Sequence, residues 1–286
     1  MKRYLGVDLH RSQFTVCVRL ENGRTSLRQW PMRELKLFAA ELRPEDELAV
    51  EATGNTRLFY DAVVEHVARV RVVNPGQFKV ISQSVKKTDR NDAELLALYL
   101  AKDLLPEVRM KDKAQRSLGH LAGTRDLLVK QRSALKAKIN NMLSAEGINL
   151  KREALSSNKA LERVLGLPLS PLTMAEARVL VSQIRSLSES IGELEGLLEE
   201  EGPKLAGHRN LKSIKGIGPV SAAVLLSAIG DIRDFSDPGK LAAYVGLVPR
   251  VQNSNETAHS GHITKQGNTL ARTCLVQCTL VAKRYS

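Results

Sequence analysis

Short apolar runs, each broken after a few residues by a turn signal, fill the first 73 residues of this 286-residue chain. Residues 4–7 are apolar and end at Asp8, and residues 14–20 alternate as a half-buried strand does. Glu21-Asn22-Gly23 then reads as a hairpin turn with residues 25–30 as the partner strand. Residues 35–42 have helical spacing, residues 48–50 form a buried strand ending at Glu51, and Thr53-Gly54-Asn55 is a turn. Residues 59–67 are again helical, and residues 70–73 are a strand that Asn74-Pro75-Gly76 stops. Runs of four to eight apolar residues are too short for buried helices. The order strand, hairpin, helix, strand, helix, strand therefore predicts an α/β layer on a mixed sheet.

The acids of this region fall at informative places. Asp8 and Glu51 each sit at the C-terminal end of an apolar strand. Asp89 and Asp92, in Lys87-Thr88-Asp89-Arg90-Asn91-Asp92-Ala93, open the apolar-periodic run 93–100 and share one face of its first turn. Two readings fit. In one, Asp89 caps the helix and Asp92 is ordinary first-turn charge. In the other, the four carboxylates converge, and their mutual repulsion calls for a divalent cation of the kind that clamps phosphoryl oxygens. Glu94 competes with Asp92 but points off the face that Asp89 and Asp92 share.

From residue 108 to 152 the composition shifts, with eleven Lys or Arg against three acids. Leu121, Leu128, Leu135 and Met142 recur every seven residues, Leu118, Ile139 and Leu143 fill much of the second seam position, and Arg125 and Arg132 fall in that same register. After a turn region at 165–171, a second stripe carries Ala177, Ile184, Ile191 and Leu198 beside Leu180, Leu187 and Leu194. The pair predicts an antiparallel hairpin arm, basic on its first helix and acidic at 189–201; an ordinary bundle segment explains the stripes equally but not the charge asymmetry. A formal net charge of +12 points to a polyanion, nucleic acid first. Aromatics at 4% are too sparse for base stacking to be the main contact. The longest apolar stretch, 220–229, is too short to span a bilayer, and the N-terminus lacks a signal-peptide layout, so no membrane partner is expected. Cys17, Cys274 and Cys278 make neither a metal set nor an even disulfide framework, which fits a reducing cytoplasm.

Residues 211–230 read LKSIKGIGPVSAAVLLSAIG, with Gly216-Ile217-Gly218 between apolar helices. This is either a helix-hairpin-helix whose backbone N–H groups hold a DNA phosphate or a tight turn between packed helices. Residues 251–267 are polar and read as an exposed loop containing Ser260-Gly261, which is turn chemistry or a nucleophile. His259 and His262 are candidate bases beside it. Candidate nucleic-acid contacts are Arg125, Lys130, Arg132, Lys136, Lys138, Lys215, Gly216, Gly218, Lys265 and Arg272.

Taken together, GVDLH, EATGN, KKTDRNDA, IKGIGPVSAAVLLSAIGD, FSDPGKLAAYVGLVPR and HSGHITKQGNTLAR resemble, in order and spacing, the DEDD-type insertion-sequence transposases, relatives of the Piv invertase. The resemblance implies a ribonuclease-H-like, RuvC-like domain at 1–106, a coiled-coil arm for dimerisation and nucleic-acid binding at 107–205, and a mainly helical, serine-bearing domain at 206–286. It implies that Asp8, Glu51, Asp89 and Asp92 bind Mg²⁺, for which Mn²⁺ can substitute, and that Ser260 attacks a DNA phosphate to form a transient phosphoserine. It further implies a composite site between protomers, a dimer that pairs into a tetramer across donor and target DNA, and a structured bridge RNA that guides target choice. A bacterial cytoplasmic, nucleoid-associated protein is expected. Family members usually continue well beyond Arg284-Tyr285-Ser286, so a C-terminally shortened serine domain, with weaker assembly, is expected too. The competing readings are a junction-resolving nuclease using only the acids, with water in place of Ser260, and an inactive nucleic-acid-binding remnant.

Overall fold

A computed structural model describes residues 2–74, 78, 88–106, 108–150, 155–254 and 257–284, with backbone alone at 251–254 and 257–260. The chain divides into two compact units, Met1–Met110 and Lys111–Ser286.

The first unit is built on a five-stranded mixed sheet of order β3-β2-β1-β4-β5. Strands β1 (Arg3–Leu9), β2 (Gln13–Leu20) and β3 (Thr25–Pro31) form an antiparallel meander. Strands β4 (Glu47–Glu51) and β5 (Arg69–Val73) run parallel to β1. The predicted strands and hairpin are all present, and the sheet with its helices is consistent with a ribonuclease-H-like domain. Period two sorts the side chains. Leu5, Val7, Phe14, Val16, Leu48 and Val50 bury against helices α1 (Leu35–Ala40) and α2 (Thr56–Val63). The opposite face, with Gly6, Cys17 and Ala49, is covered by helix α3 (Asp89–Ala101) through Ala93, Leu96 and Ala97. The Asn74-Pro75-Gly76 stop and the Ser/Lys stretch before Thr88 fall mostly outside the described residues.

The second unit is mostly helical. Helix α4 (Lys113–Ala145) opens on Asp112, whose carboxylate accepts the Gln115 N–H at 2.7 Å. After the short α5 (Asn158–Leu165) the chain returns along α6 (Pro171–Glu201). Ile139 and Leu143 bury with Ala177, Val181 and Ile184 at one end of this pair, and Leu118 and Ala122 bury with Leu198 at the other. The two long helices are therefore antiparallel, as the two stripes predict. The connection differs from a simple turn: Leu161 and Val164 of α5 close the apolar end of the hairpin.

Helices α7 (His208–Lys212), α8 (Pro219–Ile229), α9 (Pro238–Val245) and α10 (Thr269–Arg284) complete the unit, and α8 packs on Leu118 and Ala122 of α4. The segment predicted as a polar loop is instead a β-hairpin, β6 (Pro249–Ser254) with β7 (Thr257–Ile263), and Ser260 lies on β7 opposite Val251. A lone two-stranded ribbon lacks the one-sided apolar alternation that marks a sheet buried on one face, so its sequence resembles a loop. Among the described residues, no helix is long and apolar enough to cross a membrane.

Candidate metal site and nucleic-acid arm

The parallel register of β1 and β4 runs from Tyr4 opposite Glu47 to Val7 opposite Val50. One further step sets Asp8 beside Glu51. Gly6 and Ala49 are paired on the face that α3 covers, so strand alternation puts Asp8 and Glu51 on that face as well. Asp8 is buried, at 8% exposure, and Glu51 is half-buried. The turn after Glu51 explains the sequence Ala52-Thr53-Gly54-Asn55-Thr56. The Thr56 hydroxyl donates to the Glu51 carbonyl at 2.9 Å and accepts the Thr53 N–H at 2.6 Å. The Asn55 side-chain amide donates to the carbonyls of His10 and Arg11 at 3.1 and 3.3 Å. The end of β4 is thereby tied to the turn that follows β1.

Helix α3 delivers the other two acids. Its cap is Thr88, whose hydroxyl accepts the Asn91 N–H at 3.3 Å, so Asp89 is a first-turn residue and not the cap. Asp92 is buried toward the sheet at 7% exposure, while Glu94 is exposed. The helix comes this close because residue 6 has no side chain: a Cβ there would lie 2.1 Å from the Ala93 carbonyl oxygen and 2.4 Å from the Ala97 nitrogen. Gly6 thus sets the distance between Asp8 and the Asp89–Asp92 turn.

His10 sits among these acids. Its Nε2 is 3.1 Å from Asp8 Oδ2 and 3.2 Å from Asp89 Oδ1, and the donor atoms of the three residues lie within 4.8 Å of one another. Burial pushes the Asp8 carboxyl above its usual range, repulsion from Asp89 and Asp92 adds to this, and His10 offsets it only in part. Partial burial lowers the His10 value, but Asp8 and Asp89 outweigh it and hold the imidazolium above its ordinary range. Clustered, partly dehydrated carboxylate oxygens of this kind suit a hard divalent cation, which the donor set Asp8, Asp89, Asp92 and Glu51 would hold. His10 is absent from the residues that the sequence motifs single out. Its signal was the alternation 6, 8, 10, which keeps it on the side of Asp8. Beside Asp89 opens a cleft of about 610 Å³ lined by Thr15, Leu27, Arg28, Gln29, Thr88 and Arg90.

The basic candidates are distributed differently from a uniformly outward-facing stripe. Arg125, in the seam register, turns to α6, where its Nε donates to Glu195 Oε1 at 2.8 Å and Nη2 reaches the same oxygen. Arg132 Nη1 donates to Ser188 Oγ at 3.3 Å. Lys136 is half-buried, and burial, helped by Arg132, lowers its pKa. Lys130 and Lys138 are exposed and pair with Asp126 and Glu176 at 2.7 and 3.0 Å. Gly216, at φ +91°, packs on α10, where a Cβ would lie 2.5 Å from the Cys278 carbonyl oxygen, whereas Lys215 and Gly218 are exposed. Arg272 donates to the Val245 carbonyl at 2.8 Å, closing α9 onto α10, and Lys265 is exposed. Burial pushes the Cys17 thiol up to about 11 and that of Cys274 to about 12, so neither competes as a neutral-pH nucleophile. The side chains of Ser260 and His259 lie outside the described residues; His262 is exposed.

Residues 5–146 match the DEDD-type IS110 model, described as a transposase, and residues 208–286 match the model described as "Transposase IS116/IS110/IS902 family". The transposase for insertion sequence element IS1111A of Coxiella burnetii is 27% identical over 277 residues, covering 96% of this chain and 76% of that protein. The transposase for insertion sequence element IS1328 of Yersinia enterocolitica is 25% identical over 97% of this chain and 83% of its own length. A pilin gene-inverting protein of Moraxella bovis is 28% identical over 90% of this chain and 76% of its own length.

Proposed function

The chain belongs to the IS116/IS110/IS902 family of transposases, DNA-acting enzymes, and from that premise we propose that it cleaves and exchanges DNA strands through a serine-linked intermediate. Asp8, Glu51, Asp89 and Asp92 would hold Mg²⁺, which Mn²⁺ could replace. When bound, the ion neutralises charge on the phosphate oxygens and lowers the barrier to displacement at phosphorus. Ser260 supplies the nucleophile. Its Oγ–P bond forms as one P–O bond of the DNA backbone breaks, with the serine proton lost and a proton gained by the departing DNA oxygen, which conserves the phosphodiester energy; attack by the hydroxyl of the incoming strand end, with the reverse proton exchange, then releases the serine. The cleft beside Asp89 suits a DNA backbone, since Arg90, Thr88 and Gln29 line it and it holds no aromatic platform, while the Arg28 guanidinium is engaged by Glu41 and Trp30.

The observation that carries this reading is the meeting of Asp8 and Asp89 on one sheet end, with the charge of Asp92 felt at Asp8 and Glu51 in register beside it. The remaining parts of the proposal are supported by the family resemblance alone. The serine of one protomer serves the acids of another, dimers pair across donor and target DNA, and a bridge RNA carries much of the sequence choice. The protein's net charge of +12 suits backbone gripping more than base readout.

The test is a suicide DNA substrate carrying the element's own ends, with the adjacent noncoding RNA and Mg²⁺, read as a covalent protein–DNA adduct. Wild type is expected to form the adduct. Ser260→Ala, Asp8→Asn and Asp89→Asn are expected to lose it and to retain DNA binding. Cutting that survives Ser260→Ala would assign the chemistry to water and a resolvase-like nuclease. Loss of binding in the aspartate variants would make those positions structural.

A further inference from the structure

We propose that His10 is itself a ligand of the divalent ion, so that the centre is a mixed nitrogen–oxygen site favouring Mn²⁺ and Co²⁺ over Mg²⁺ more strongly than carboxylates alone would. The proposal rests on the metal-binding reading above and adds a residue that the four acids do not include. The geometry points to it in two independent ways. Donors at about 2.1–2.2 Å from one ion, on neighbouring octahedral positions, stand roughly 3.0 Å apart. His10 Nε2 lies 3.1 Å from Asp8 Oδ2 and 3.2 Å from Asp89 Oδ1, which makes it the shared corner of two such edges. The second observation concerns the backbone. The side chain of Asn55 donates to the carbonyls of His10 and Arg11, so the turn that presents the imidazole is held from a different strand end. The main chain that carries the imidazole is thus ordered before an ion arrives, and only the side-chain torsions of His10 remain to be fixed on binding.

The chemistry follows from ligand type. Imidazole nitrogen adds little for Mg²⁺, which prefers oxygen and keeps its waters, but it strengthens binding of later divalent ions. Without an ion, the same separations serve an N–H shared between two carboxylates, so the experiment must detect the bond from nitrogen to metal.

Tag-free full-length protein is loaded with Mn²⁺ and studied by pulsed electron paramagnetic resonance for ¹⁴N coupling, with Mn²⁺ and Mg²⁺ affinities measured by titration. Wild type is expected to show imidazole ¹⁴N coupling. His10→Ala is expected to lose that coupling and about tenfold or more in Mn²⁺ affinity, with Mg²⁺ affinity changed much less. His10→Gln, whose amide oxygen reaches about as far as Nε2, is expected to recover part of the affinity without the imidazole coupling. Because His10 is about half exposed in a turn, these variants should fold, and the buried Trp30 reports by fluorescence whether they do. Mn²⁺ bound with no ¹⁴N coupling, or equal losses for both ions in His10→Ala, would overturn the proposal and leave the carboxylate centre standing. No Mn²⁺ binding in wild type, or binding insensitive to Asp8→Asn and Asp89→Asn, would remove the carboxylate centre and this proposal together.

Discussion

Replacing Gly6 by alanine tests the link between packing and the site. The added Cβ would stand 2.1 Å from the Ala93 oxygen, 2.4 Å from the Ala97 nitrogen and 2.9 Å from the Leu96 Cβ. Carbon makes its favourable contacts at about 3.5–4.0 Å, so α3 has to retreat by about 1 Å or more. The two nearest obstacles are backbone atoms, and no rotamer change relieves them. Overpacking of this kind costs about 1–3 kcal/mol, and the smaller freedom of the unfolded Ala chain offsets about 0.4–1 kcal/mol of that. A net loss of about 1–2 kcal/mol is expected. Trp30, the chain's single tryptophan, is buried against Phe14 and Phe38 in the same unit, so its fluorescence during urea unfolding reads the transition directly. With an m-value of about 1–3 kcal/mol/M, the midpoint should fall by roughly 1 M. Gly54→Ala is the control: nothing lies within 4 Å of its Cβ, and a change of about 0.5 kcal/mol or less is expected. Retreat of α3 also carries Asp89 and Asp92 away from Asp8, and a misplacement of about 1 Å costs about 10²-fold in catalysis. A Gly6→Ala midpoint equal to that of Gly54→Ala would refute the packing argument. A lowered midpoint with unchanged divalent affinity and adduct formation would refute the claim that this contact positions the acids.

Charge sets three further outcomes. Burial, with Asp89 and Asp92, holds the folded Asp8 carboxyl above its unfolded value of 3.8, so between those two values the native state binds more protons than the unfolded one. Stability contributed by this group therefore falls as pH rises through that window and stays lowered above it; Asp8→Asn without divalent ions should raise the urea midpoint at pH 7, a gain that shrinks on acidification toward the ordinary carboxylate range. A lower midpoint for Asp8→Asn at pH 7 would contradict the sign. On the arm, Arg125→Ala removes a partly exposed pair with Glu195 and should cost less than about 1 kcal/mol in stability, leaving nucleic-acid affinity unchanged. Lys130→Ala and Lys138→Ala should each weaken nucleic-acid binding across sequences and lower the salt slope by about 1, as measured by anisotropy at several salt concentrations. The reverse ranking would mean that Arg125 leaves Glu195 for phosphate.

How much of this was legible in the chain depends on the distance over which each signal is written. Residues 3–31 declare a meander because alternation in Phe14-Thr15-Val16-Cys17-Val18 and the turn at Gly23 are local, and the long helices declare themselves through repeats three and four residues apart. The ordered motifs around Asp8, Glu51, Asp89, Asp92 and Ser260 were enough to find the family. The hairpin carrying Ser260 was missed because a ribbon without a buried face writes no apolar period. Arg125 was readable as a basic residue in the seam register, but its partner Glu195 lies seventy positions away on the returning helix.

What the amino-acid order determined by itself is therefore most of the elements of the sheet and the long helices, their apolar faces and the inventory of acids and bases, all fixed by neighbours within one or two turns. Which donors meet was decided by tertiary structure alone. His10 reaches Asp89 across seventy-nine residues because β1 lacks a side chain at Gly6, α3 settles against it, and Asn55 reaches over from the turn after β4 to hold the segment that follows β1. No local periodicity encodes a contact of that kind, since its energy arises only when three separate segments close on one another.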